Sequence, residues 1–190
     1  MIEKIPFRTG DIGLVHVKYK WYDYHTWLAP FIRLFDRVYY NHVFLIVEDN
    51  GIFYRFEATE HGIEKNLFIE KTTRDDNKIS IIRPTFDITD KQFDQIRSLS
   101  EKLKGTPYDW KGTLFDQLIY QETGKWIGST NENVENKRFY CSEFVMFVYH
   151  IVFGFPEFKQ FYESDPRYIM NLTRFIKIFT GKLEISKYLS

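Results

Sequence analysis

The stretch Phe139-Tyr140-Cys141-Ser142-Glu143-Phe144-Val145 holds the chain's one cysteine. Phe144, Val145, Phe147, Val148, Ile151 and Val152 recur at the spacing of one helix face, whereas the Asn- and Glu-rich run from Ser129 to Lys137 shows no such period. The pattern predicts a helix that begins at, or just before, Cys141. A thiol in that position meets the positive end of the macrodipole and the first helical N–H groups, which favour the thiolate, the form that attacks carbonyl carbon. Free cysteine is also among the most buried residue types and commonly serves as a small hydrophobe. A nucleophilic reading therefore needs a histidine and a carboxylate or amide from elsewhere in the chain.

The stretch that supplies them lies about a hundred residues upstream. Tyr40-Asn41-His42-Val43-Phe44-Leu45-Ile46-Val47-Glu48 is a nearly continuous apolar run suited to a strand buried on both faces, with His42 at its entrance. Asp49-Asn50-Gly51 reads as a hairpin turn, and Ile52-Phe53-Tyr54-Arg55-Phe56-Glu57-Ala58 returns as the partner strand. Counting outward from the turn makes His42 and Glu57 cross-strand neighbours. A carboxylate beside a histidine orients the imidazole and stabilises its protonated form. Glu60 and His61 take over these roles if the register is shifted.

Around this pair, Gly10-Asp11 turns into a short strand, Ile12 to Val17, which carries His16 as a structural residue. Tyr24, Trp27, Leu28, Phe31, Ile32 and Phe35 form an apolar stripe at helical spacing, with Arg33 and Arg37 on the other side. The stripe fits a helix packed on the sheet, and the segment 21–40 also permits contact with a membrane surface. Ile79 to Arg83 reads as a strand ended by proline. Thr89 with Gln92 forms a capping box for a helix that stops at Gly105. A further helix is expected over Thr113–Thr123, and the polar segment 125–137 reads as a loop forming a flap over the cysteine. Ser164-Asp165-Pro166 starts another helix, and a last strand is expected over 175–179. No internal repeat or low-complexity linker divides the 190 residues, so one α+β domain, 1–190, is the economical description.

Composition narrows the partners. Twenty-six basic and twenty-six acidic residues cancel, which disfavours nucleic acid. No apolar run reaches membrane-spanning length, and Met1 to Pro6 has no export signal, so a soluble, cytoplasmic protein is expected. Thiolate metal sites show paired cysteines or histidines at short spacing; none occurs, and no metal or other cofactor is expected.

Five pieces together resemble the permuted branch of the NlpC-type papain-like cysteine hydrolases, and more narrowly its YiiX-like members. They are Gly10-Asp11-Ile12, Asn41-His42-Val43, Phe56-Glu57-Ala58-Thr59, Gly105-Thr106-Pro107-Tyr108-Asp109-Trp110 and Tyr140-Cys141-Ser142-Glu143-Phe144-Val145. In unpermuted relatives the cysteine helix precedes the histidine strand; here His42 comes first. The resemblance implies a circularly permuted papain-like fold, an antiparallel sheet packed against helices that include the nucleophile helix. It implies Cys141 as nucleophile, His42 as general base and Glu57 as orienting residue, with Tyr108, Tyr140 and Ser142 in the substrate and oxyanion region.

The implied reaction is acyl transfer through a thioester, as hydrolysis of an amide, thioester or ester, or as transfer to another nucleophile. A non-catalytic lipid- or peptide-binding module on the same fold is the alternative function. Among substrates, the aromatic content of 21–40 favours a group with an apolar acyl portion, since each buried methylene contributes about 0.8 kcal/mol. A peptidoglycan stem peptide is the alternative.

Overall fold

The computed structural model describes residues 7–17, 39–74, 78–109, 111, 138–154 and 164–183. The aromatic stripe up to Val38, the helix expected over 113–123 and the loop 125–137 lie outside them. In chain order the elements are β1 (Ile12–Val15), β2 (His42–Asp49), β3 (Ile52–Thr59), β4 (Gly62–Leu67), α1 (Phe68–Arg74) and β5 (Ile79–Pro84), then α2 (Asp90–Leu103), α3 (Cys141–Phe153), α4 (Pro166–Met170) and β6 (Phe175–Gly181).

The strands form one antiparallel sheet of six in the order β4-β3-β2-β1-β5-β6. The β2–β3 hairpin closes on Asn50 and Gly51, with φ of 51° and 79°, the left-handed pair that a tight two-residue turn requires. Helix α2 starts on the expected capping box: the Thr89 hydroxyl accepts from Gln92 N–H, and the Gln92 side chain accepts from Thr89 N–H. Helix α3 opens at Cys141 and ends on Gly154 at φ 62°. These elements follow the sequence expectation. β4 and α1 do not, because the sequence from Gly62 to Arg74 carries neither a clean two-residue nor a helical apolar period.

Alternation along the strands gives the sheet two buried faces. On one, Ile12, Leu14, Val43, Leu45, Val47 and Phe56 pack with Ile96 of α2 and with Phe144, Val145 and Val148 of α3. On the other, Val15, Phe44, Ile46, Ile79 and Ile81 pack with Phe7 and with Phe68 of α1. Two polar devices meet at the entry to β1, one within the sheet and one from α3. The buried Asp11 carboxylate accepts a two-pronged bond from Arg83 at 2.8 and 2.7 Å and a third from Arg8 N–H at 2.9 Å. The Tyr149 hydroxyl on α3 donates to Gly10 O at the same corner.

Candidate active site

His42 is the first residue of β2 and Cys141 the first of α3. The β2–β3 ladder runs from Asp49↔Ile52 only to Leu45↔Phe56. Beyond that pair β2 stays with β1 as far as Val15↔His42, while β3 stays with β4 as far as Thr59↔Gly62, so the two strands part at the level of His42 and Glu57. The imidazole reaches both Glu57 and Cys141 there.

His42 Nε2 and Glu57 Oε2 are 2.7 Å apart. The pairing is diagonal: extending the Leu45↔Phe56 register puts Phe44, not His42, directly opposite Glu57. The expected cross-strand relation therefore holds for the face and is offset by two residues along the strand. With Nε2 engaged by the carboxylate, Nδ1 is the ring nitrogen not used in that bond, and Cys141 contributes with Glu57 to the upward shift of the His42 pKa. Glu60 and His61 stand outside this group. They face one another at 3.4 Å, and the His61 side chain is 60% exposed.

The electrostatics follow from burial and these partners. Burial alone would strip the proton from His42, but hydrogen bonds to Cys141 and Glu57, with the attraction of their charges, override it and raise its pKa to about 9. Burial would equally push Glu57 up; the Arg55 charge and the bond from His42 outweigh it and bring its pKa down to about 2. The pair at neutral pH is imidazolium beside carboxylate.

The other expected site residues lie around the start of α3 in different capacities. Tyr108 is buried and lies in an isolated parallel bridge with Phe139, with Phe139 N–H donating to Pro107 O at 3.1 Å and Asp109 N–H to Phe139 O at 3.2 Å. The Pro107–Asp109 turn is thus bonded directly to the residues that lead into Cys141. Tyr140 is buried at the helix cap, where its N–H donates to Glu143 Oε2 at 3.4 Å. The Ser142 hydroxyl donates to Ser164 O at 2.9 Å, which fixes the start of α3 to the segment before α4. Its side chain has an anchoring task here. His16 is stacked on the Tyr39 ring at 4.3 Å between centroids.

One residue escaped the sequence reading. Arg55, fully within the sheet and buried, donates from Nη2 to Glu57 Oε2 at 2.5 Å. Its i, i+2 spacing to Glu57 on a strand puts both on one face, a signal present in the sequence.

Among solved structures, the chain is similar to the metalloprotein YiiX from Escherichia coli O157:H7, DUF1105. The TM-score is 0.55 and the identity 14%, across 93% of this chain and 98% of that one. The likeness shows a shared YiiX-like α+β fold. No family model and no curated protein matches the chain.

Proposed function

We propose that the chain is a cysteine-dependent acyl hydrolase on a circularly permuted papain-like fold, acting on an amide, thioester or ester. The observation that supports this best is the His42 imidazole bonded to the buried Glu57 carboxylate at 2.7 Å, with buried Cys141 at the start of α3 acting on the same ring. In the reaction the Cys141 thiolate attacks the substrate carbonyl carbon, and the electron pair of the C=O bond moves to oxygen. Backbone N–H groups in the first turn of α3, which have no intrahelical acceptor, stabilise that oxyanion. Collapse expels the amine, thiol or alcohol, which takes its proton from His42, and leaves a thioester on Cys141. His42, now neutral, removes a proton from water as the water oxygen attacks the thioester. Release of the carboxylic acid returns the thiolate and the imidazolium. Glu57 keeps the ring oriented throughout.

The solved neighbour is described as a metalloprotein. Among the described residues no group of three or more His, Cys, Asp or Glu side chains is placed to hold a metal ion. His42 Nε2 and Glu57 Oε2 are committed to one another and to Arg55. The residues do not fit a metal centre at this site, and no step runs through one.

The test is alkylation of Cys141 by iodoacetamide as a function of pH, followed by trapping of the thioester with an activated acyl substrate. Alkylation should stay fast well below about pH 8.5, where an ordinary thiol is protonated and slow. Cys141→Ala should form no thioester. An ordinary thiol profile, or full turnover by Cys141→Ala, refutes the reading.

A further inference from the structure

We infer that Arg55 is a positioning residue of the site, a buried cation that keeps Glu57 charged and aimed at His42, and that the Phe44 ring over Gly13 is its seat. The inference rests on the acyl-transfer reading above and adds a fourth member to it.

The seat is built from β1 outward. Gly13 and Phe44 are register partners on β1 and β2, and the ring lies across the glycine: a Cβ on Gly13 would fall 1.9 Å from Phe44 Cζ. Only glycine leaves room for this ring position. The Arg55 guanidinium carbon lies 4.4 Å from the Phe44 ring centroid, in cation–π contact. From that position the guanidinium reaches Glu57 Oε2, the oxygen that also bonds His42. The other carboxylate oxygen, Oε1, is buried without a hydrogen-bond partner. The groups gathered at Oε2 therefore decide whether this buried carboxylate stays ionised.

The charged and titratable groups around Glu57 come from each neighbouring element. Arg55 lies on its own strand, His42 on β2, Glu64 directly opposite on β4, Lys71 on α1, and Cys141 on α3 beyond His42. β1 contributes the side-chain-free Gly13. The Arg55 charge, with the bond and charge of His42, holds the carboxylate in its charged form against burial. Without Arg55, burial dominates: Glu57 takes a proton at higher pH, and His42 loses the counter-charge that holds its proton beside Cys141.

The experiment measures the rate of iodoacetamide alkylation of Cys141 against pH in the wild type, Arg55→Met, Arg55→Lys and Phe44→Leu, with folding followed by circular dichroism. In Arg55→Met the acid limb of the profile should move up by about one pH unit or more. Arg55→Lys, which keeps the cation and loses its planar contact with the ring, should recover most of that shift. Phe44→Leu, which keeps every charge and removes the seat, should shift the limb in the same direction by less. A looser structure would expose the buried Cys141 and speed its alkylation at every pH with a loss of ellipticity, a change separable from a shifted limb at unchanged ellipticity. An unmoved limb in Arg55→Met overturns the inference. If Arg55→Met fails to fold, an unmoved limb in Phe44→Leu overturns it instead. A wild-type profile of an ordinary thiol would sink the acyl-transfer reading itself, a separate outcome.

Discussion

The two faces of one sheet are equally buried and chemically opposite. On the face covered by α2 and α3, Val43, Leu45 and Val47 of β2 meet Phe56 and Ala58 of β3 in an apolar layer. On the face beneath α1, the intervening residues of the same strands place Arg55 and Glu57 beside Phe44 and Ile46, at 2% and 1% exposure. Strand alternation lets a single hairpin serve as dry scaffold on one side and charged site support on the other. The scaffold face contributes area, at about 25 cal/mol per Å² of apolar surface removed from water. The support face offsets the cost of desolvating two charges only through good geometry.

The comparison gives three measurements, in falling size of effect. Leu45→Ala, on the scaffold face, should lower unfolding free energy by about 3 kcal/mol in denaturant titrations and leave the pH profile of Cys141 alkylation unchanged in the folded protein. A changed profile would show that the faces are coupled and break the distinction.

The second measurement concerns the support face. Because the His42 pKa is raised to about 9 on folding, its contribution is complete below its ordinary value of 6.5 and is lost as pH rises through about 9. Because that of Glu57 is lowered to about 2, its contribution is complete above 4.5 and is lost as pH falls toward about 2. Thermal stability should therefore hold a plateau between these limits and fall on either side. At the alkaline edge the loss should be on the order of 3 kcal/mol, and Glu57→Gln should flatten that slope. An unchanged alkaline slope in Glu57→Gln would detach His42 from its carboxylate.

The smallest effect lies at the rim. Lys65 on β4 pairs with Glu101 and sits 4.0 Å over the Tyr54 ring, with its side chain 20% exposed. Lys65→Ala should cost less than about 1 kcal/mol in the same titration and diminish with salt. A larger, salt-independent loss would place part of the scaffold at this edge.

How far the sequence foretold these parts depends on whether their causes are local. The Asn50-Gly51 hairpin, the Thr89–Gln92 capping box and the helix starting at Cys141 each rest on a few adjacent residues, and each stands where expected. β4 was missed because an edge strand needs apolar residues on few of its positions; Glu64, Lys65 and Asn66 interrupt the alternation. α1, seven residues long, is held by Phe68 in the core cluster rather than by its own propensity. In the site, His42 and Glu57 were legible because the hairpin turn fixes which residues share a face. Arg55 was not, because its position depends on the Phe44 ring and on Gly13, forty-two residues upstream. A glycine inside a buried strand signals close approach by another group, a cue that adds to the i, i+2 spacing of Arg55 and Glu57.

The bridge between Tyr108 and Phe139 has a consequence for how the gene can vary. Segment 107–109 and Phe139 are joined by two hydrogen bonds, Phe139 N–H to Pro107 O and Asp109 N–H to Phe139 O. The two are stapled together before Cys141 begins its helix. The entropy of closing a loop grows only slowly with its length, so insertions and deletions between these anchors are thermodynamically mild. A change of chain length between Asp109 and Arg138 is thus expected to leave Cys141 at the start of α3.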